Sequence, residues 1–354
     1  TYFFIYKKGF FMKKQEQIKN KVQQITEDLD KGVKEVFETG KLKEYLNVLS
    51  KFHKYSSRNN LLIYRQMPNA TKVAGFVSWK NDFNRHVKKG ESGIAILIPT
   101  PYKIKEEMTK IDPKTQRPVL DNNGNEVKEE VEIVIPKFKV GYVFDVSQTD
   151  GEPLPSIVTG LQGDIEGYED MIQALTKVST VPINFESIPT GAKGYYSFQD
   201  NKIAIQVGMS EIQTIKTMIH EMAHAELHSS FHGRRKDKRT KEVEAESVAY
   251  TVSQYFGIDT SDYSFSYVGN WSSTQELDEL KDSLELIQKK SSELIIKIDE
   301  VLLELSKEKV TDKDMEVTKP SLKEKLAKAK DKQLSLEKTR EKAINKTKGE
   351  LEQV

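Results

Sequence analysis

The chain of 354 residues contains no cysteine. That absence removes disulfides, thiolate metal ligands and a cysteine nucleophile together, and it fits a reducing cytoplasm. No apolar run approaches the ~20 residues of a membrane-crossing helix, so no membrane is expected among its partners. A dominant charge is missing too: 55 Lys or Arg stand against 54 Asp or Glu, a net charge of +1, although 31% of residues are charged. No aromatic residue follows Trp271. Histidine is scarce, with six in the chain, yet His220, His224, His228 and His232 fall close together.

That cluster contains His220-Glu-Met-Ala-His224, an HExxH pattern inside a run that reads as a helix. Histidines four apart share a helical face, so both imidazoles can point at one cation. Glu221, one residue round from His220, is then within reach of water at an open coordination position. Without thiolates an ion here must use histidine and carboxylate; zinc is expected, with manganese or another divalent ion as the alternative. His228 and His232 are expected at the surface or in a cleft rather than as ligands.

A third ligand must lie downstream. The helical run from Thr240 to Tyr250 carries Glu242, Glu244 and Glu246 at every second position. Successive helical residues are about 100° apart, so Glu242 and Glu246 share a face while Glu244 points away. One of the shared pair is the expected ligand. The separation of His224 from Glu242 is close to that in gluzincins, and Glu242, Ala245 and Ala249 form an E-x-x-A-x-x-x-A pattern that resembles the ImmA/IrrE type of metallopeptidase. The resemblance implies that Glu242 is the ligand and that Glu246 holds the far nitrogen of His220 or His224. The expected chemistry is peptide hydrolysis, with water acidified towards a pKa of ~7 and Glu221 as general base. Tyr250, His228 and Tyr196 are candidate donors to the tetrahedral oxyanion.

The segment before this site differs in charge. Between Lys41 and Lys105 thirteen Lys or Arg stand against three acidic residues, interleaved with Tyr55, Tyr64, Phe76, Trp79 and Phe83. Cations that track phosphates and aromatic faces that stack on bases are what a single-stranded nucleic-acid groove requires. The competing reading makes the aromatics core and the lysines solvated. The wording of the segment bears on that choice. Tyr55-Ser-x-Arg-Asn-x-Leu-Leu-Ile, Gln66-x-Pro-x-Ala70, Gly75-Phe-x-x-Trp79, Val87-Lys-Lys-Gly-Glu91 and Val143-Phe-Asp-Val-Ser-Gln-Thr149 together resemble the N-terminal domain of ArdC-type antirestriction proteins of mobile elements. The resemblance implies single-stranded DNA as a partner and a role in protecting incoming DNA from restriction. Charge and stacking ability single out Arg58, Lys72, Trp79, Lys80, Arg85, Lys88 and Lys89 as candidate contacts, with Gly90 and Gly93 as turn formers.

Composition sets the expected boundaries. Residues 1–11 are aromatic-rich and unlike the Lys- and Gln-rich stretch from Met12, so translation is expected to start at Met12, with 1–11 a non-native leader. Residues 12–150 form an expected ssDNA-binding domain and 151–160 a Pro- and Gly-containing linker. Beyond it the charge reverses, with ten Lys or Arg against fifteen acidic residues from Leu161 to Trp271, and 161–275 is the expected metallopeptidase domain. An amphipathic helix over 276–305 and a charged tail over 306–354, helical or disordered, complete the chain. The expected fold class is α+β in two domains, an N-terminal α+β ssDNA-binding domain and a C-terminal gluzincin-like domain.

Periodicity and turn residues predict helices over 12–39, 42–52 and 55–68, strands over 94–99 and 138–145, and a hairpin turn at Asp121–Asn125. A strand over Lys202 to Gln206 is expected before the HExxH helix, which Ser210 and Gln213 open as a capping box. That strand, or the one holding Tyr195, is expected to pair with an extended peptide. Two further functions compete with the leading one: a regulatory metallopeptidase that cleaves a repressor or host protein, and a DNA-binding protein whose metal is structural and catalytically silent.

Overall fold

The structure is a computed structural model that describes residues 22–154 and 165–318. The expected leader, most of the expected linker and the tail beyond 318 lie outside the described residues. The chain divides into two compact units, one reaching Ile298 and one beginning at Asp299. Its class is mixed α+β.

The first unit opens with helices α1 (22–38), α2 (Leu42–Lys51) and α3 (Ser57–Gln66). Apolar residues at helical spacing, Leu29, Val33, Val36 and Phe37, bury one face of α1. Gly40 ends the run at φ +72°, a left-handed conformation that disfavours a side chain. Ser56 caps α3 by accepting the Asn59 N–H. Asn59 then clasps Leu97 on both backbone groups, at 3.0 and 2.9 Å, and Gln66 clasps Ala95 in the same way at 2.9 Å each. Two amide side chains of one helix thus satisfy the free edge of the strand that carries Ala95 and Leu97.

That strand is β3 (Ile94–Pro99), the edge of a sheet of order β1-β6-β3 with β1 (Val73–Gly75) and β6 (Phe138–Asp145). Between β1 and β2 (Arg85–Val87) lies helix α4 (Phe76–Asn81). β2 pairs with β7 (Thr149–Gly151), and β4 (Tyr102–Thr109) forms an antiparallel ribbon with β5 (Lys128–Ile135). Above the ribbon the expected turn is present: Asp121 accepts N–H groups from Asn123 and Asn125, and Gly124 takes φ +81°.

The remainder runs α5 (Ile165–Val178), β8 (Ile183–Glu186), β9 (Gly194–Ser197), β10 (Lys202–Gln206), α6 (Glu211–His228), α7 (Phe231–Arg235), α8 (Lys238–Tyr255), α9 (Val268–Ser272) and α10 (Leu277–Thr318). Its sheet has the order β8-β10-β9, with β10 parallel to β8 and antiparallel to β9. Lys202–Gln206 is therefore the central strand, paired on both sides, and is not free to receive a peptide; of the two expected strands only β9 is an edge. α6 packs against α8, whose Ala245 and Ala249 are fully buried and permit close approach.

Charge composition and packing divide the chain differently. α2 packs against α8, Lys43 donates to the carbonyls of Thr260 and Tyr263 at 3.3 and 3.0 Å, and Phe37 meets Trp271 edge-on at 5.4 Å. Helices α1 and α2 thereby share a core with the helices behind the HExxH motif.

Candidate metal centre and nucleic-acid surface

Ser210 caps α6 by accepting the Gln213 N–H, and the helix runs through His228. On its second half His220 and His224 stand one turn apart with their Nε2 atoms 3.1 Å from each other. Glu242 reaches across from α8, with carboxylate oxygens 3.6 Å from His220 Nε2 and 3.7 Å from His224 Nε2. These three residues form a cluster whose ligand atoms all lie within 4.8 Å of one another. A tetrahedral ion with bonds of about 2.0–2.1 Å holds its donors about 3.3 Å apart, so the spacing fits.

The outer nitrogens decide which inner ones carry protons. His220 Nδ1 lies 3.3 Å from Glu246, a carboxylate acceptor, so Nδ1 keeps its proton and Nε2 is the nitrogen that can yield its own to an ion. His228 Nε2 lies 3.1 Å from Glu244, which makes that nitrogen the donor and leaves His228 Nδ1 to accept. With a neutral His228, His224 Nδ1, 3.0 Å from His228 Nδ1, donates to it, which bares His224 Nε2. The two Nε2 atoms and the Glu242 carboxylate then face one point at which positive charge can be held, as a proton between His220 and Glu242 or as a metal cation that displaces it.

Electrostatics point the same way. Burial would pull the His220 imidazole down, but hydrogen bonds to Glu242 and Glu246 hold it up at about 10, so positive charge is stabilised there. Those histidines in turn hold Glu242 well below the carboxylate range. Glu221 is pushed up by burial, against which His220 and the backbone N–H of Tyr196 act only in part. Burial also lowers His224.

Glu221 faces a cleft of about 790 Å³, whose walls include β9, Lys216, Arg234 and Tyr263. Gly194 sets the approach of β9 to α6: a Cβ there would lie 2.7 Å from Thr217 Cγ2 and 3.2 Å from Glu221 Cγ. Of the oxyanion candidates, Tyr196 lines the cleft. Tyr250 does not serve, because its ring is buried between Tyr263 and Phe265 at 5.6 and 5.7 Å. His228 lines the cleft as well but is largely buried with both its nitrogens engaged, so it does not serve either. The side chain of His232 lies outside what the structure describes.

Sequence spacing missed Glu244. It is 0% exposed and gathers His228, Lys236 Nζ at 2.5 Å and Ser283 Oγ at 2.8 Å. Burial would raise its carboxyl, and these donors more than reverse that.

The candidate DNA contacts separate into two groups. Trp79 is 0% exposed and donates its indole N–H to the Phe144 carbonyl at 2.8 Å, so it is core and cannot stack on a base. Arg85 spends its guanidinium on Thr149 and Gly151, tying β2 to β7. Arg58 is exposed and lines a pocket in which Asp30, Asp278, Asp282 and Glu285 outnumber the other cation, Lys281. Lys80 and Lys89 are exposed, Lys88 is half-buried, and Lys72 lies 4.4 Å over the Phe83 ring. Phe76, 57% exposed, rests edge-on against Phe144, two residues along β6 from the exposed Tyr142. Gly90 takes φ +90°, as a turn former should.

Residues 15–144 match the family described as the N-terminal domain of anti-restriction factor ArdC. An uncharacterized protein of Bacillus anthracis is 29% identical over 337 residues, which cover 87% of this chain and 56% of that protein. The chain thus spans little more than half the length of that relative. The DNA primase TraC of Escherichia coli is 42% identical over 67 residues, 19% of this chain and 6% of the primase. Among solved structures, the metal-free and Mn(II)-bound crystal structures of the antirestriction ArdC protein from plasmid R388 are similar at 23% and 22% identity. Each comparison covers 71% of this chain and 84% of that one, with TM-scores of 0.39 and 0.38.

Proposed function

We infer that the chain is an antirestriction-type protein of a mobile element that binds single-stranded DNA through its ArdC N-terminal domain and carries a zinc-dependent peptidase centre. The observation that carries the peptidase half is the convergence of three groups able to ligate one ion, His220 Nε2, His224 Nε2 and Glu242, beside Glu221 in an open cleft. Two imidazoles and one carboxylate favour zinc over harder ions.

A divalent ion held there supplies Lewis acidity, which brings the pKa of water towards ~7. Glu221 takes the proton of the water that attacks a peptide carbonyl and passes it to the leaving amine. The burial that raises its pKa suits a group that must hold a proton between two transfers. β9 offers an unpaired edge to the substrate backbone, with the cleft beside it.

The DNA half is supported by the family match over 15–144, by the basic excess between Lys41 and Lys105, and by Phe76 and Tyr142, exposed aromatics with Lys72 and Lys80 in the same segment.

Glu221→Ala tests the reading. Peptide cleavage should vanish while metal content and oligonucleotide binding stay intact. Should DNA protection survive that substitution, antirestriction does not run through hydrolysis, and the silent-metal reading gains. Oligonucleotide binding should fall steeply with salt; salt-independent binding contradicts the DNA half.

A further inference from the structure

Beyond the ligand cluster, the cleft wall carries four cations, Lys193, Lys216, Arg234 and Lys241. Its carboxylates are already engaged. Glu242 faces the two Nε2 atoms, Glu246 holds His220, Asp262 pairs with Lys216, and Glu221 sits at the reacting position. Three of the cations have only neutral partners: Lys193 donates to Gln213 Oε1 at 2.8 Å, Lys241 donates to the Arg234 carbonyl at 2.8 Å, and Arg234 lies 4.2 Å over the Phe198 ring. Among the described residues, none of these three is in an ion pair.

Their placement follows the edge strand. Lys193 directly precedes β9, and Phe198, which carries Arg234, directly follows it. A chain laid along β9 would run from Lys193 past Glu221 to Arg234 and Lys241. A bound divalent ion would add two positive charges to a cleft whose acids and bases otherwise balance. Arg234, held over the Phe198 ring, carries a guanidinium that can receive a carboxylate on two N–H groups.

We propose that the cleft takes extended acidic peptides, whose Asp or Glu side chains meet Lys193 at one end and Arg234 with Lys241 at the other. The proposal rests on the peptidase reading of the ligand cluster, and its test separates the two.

Full-length, zinc-loaded protein is given peptides of one length that carry Asp/Glu, Ala or Lys on either side of a common centre, and Glu221→Gln is used to measure their binding without turnover. The expected result is kcat/KM for acidic peptides at least ~10-fold above alanine ones, with tighter binding to match, as one charge-assisted contact supplies. That preference should fall to parity in the Arg234→Gln/Lys241→Gln double variant and persist in Arg234→Lys, which keeps the charge. Cleavage that ignores peptide charge, or a preference that survives the double variant, overturns the proposal and leaves the peptidase reading standing. If the wild type cleaves no peptide, the peptidase reading falls, and binding to Glu221→Gln still decides: charge-selective binding lost in the double variant sustains the acidic-peptide site, and charge-blind binding ends it. Displacement of the acidic peptide by a single-stranded oligonucleotide, abolished by the same double variant, would overturn it in favour of nucleic acid.

Discussion

His228 joins Glu244 to His224: its Nε2 lies 3.1 Å from the Glu244 carboxylate and its Nδ1 lies 3.0 Å from His224 Nδ1. With His228 neutral, one buried carboxylate sets the tautomers of two imidazoles in series, the second of which faces the proposed metal position. His228→Phe breaks that series. Zinc affinity, read by competition with a chromophoric chelator, should fall about 10–100-fold, as for other outer partners of ligand histidines. Unchanged affinity would mean that His224 needs no such support.

Gly194 is required by close approach, with Thr217 and Glu221 where its Cβ would stand. Gly194→Val should push β9 away from Glu221 and cut peptide turnover at least ~10-fold, since small misplacements of the catalytic frame are costly. Metal content should be unaffected, because the proposed ligands sit on α6 and α8. Loss of metal in this variant would show that β9 helps to build the ion site itself.

Phe76 and Trp79 should behave oppositely. Trp79→Ala empties a core site and should destabilise by about 3–5 kcal/mol in denaturant unfolding. Phe76→Ala, at an exposed position, should stay within about 0.5 kcal/mol of wild type. It should instead weaken single-stranded DNA binding by the ~1–3 kcal/mol of one stacked base. Binding indifferent to Phe76 would remove this face from the DNA surface.

Asp145 gives stability a pH dependence. Burial would raise its carboxyl, but N–H groups of Ser147, Thr71 and Lys72 more than offset that and hold it below its ordinary value. A depressed folded pKa means that the contribution is present above the unfolded value of about 3.9 and is lost as pH falls through the folded one. Asp145→Asn should therefore be less stable than wild type at pH 6, with the gap closing below about pH 4. A gap that widens in acid would contradict this assignment.

The parts of the site that the sequence made legible are those set by local helical geometry. His220 and His224 meet because they are four apart, and Glu242 and Glu246 share a face for the same reason. Glu244 was equally legible as pointing away from that face, but spacing does not say that the far side of α8 is the interior. Its partners His228 and Ser283 lie 16 and 39 residues distant, so only packing reveals that a buried carboxylate organises the site. Stacking ability alone does not tell Phe76 from Trp79; α4, starting at Phe76, turns Trp79 into the core and leaves Phe76 exposed, so the competing core reading holds for Trp79. The charge reversal near residue 150 is real in composition, yet α2 packs on α8 across it, because the core follows apolar faces and not net charge.

The most direct measurement is metal stoichiometry on purified wild type, Glu242→Ala and Glu246→Ala in parallel. Wild type should hold one divalent ion per chain, Glu242→Ala should hold none, and Glu246→Ala should retain a site weakened by about 10–100-fold. An ion-free wild type under saturating zinc or manganese, or an ion kept by Glu242→Ala and lost from Glu246→Ala, would contradict the ligand set of His220, His224 and Glu242.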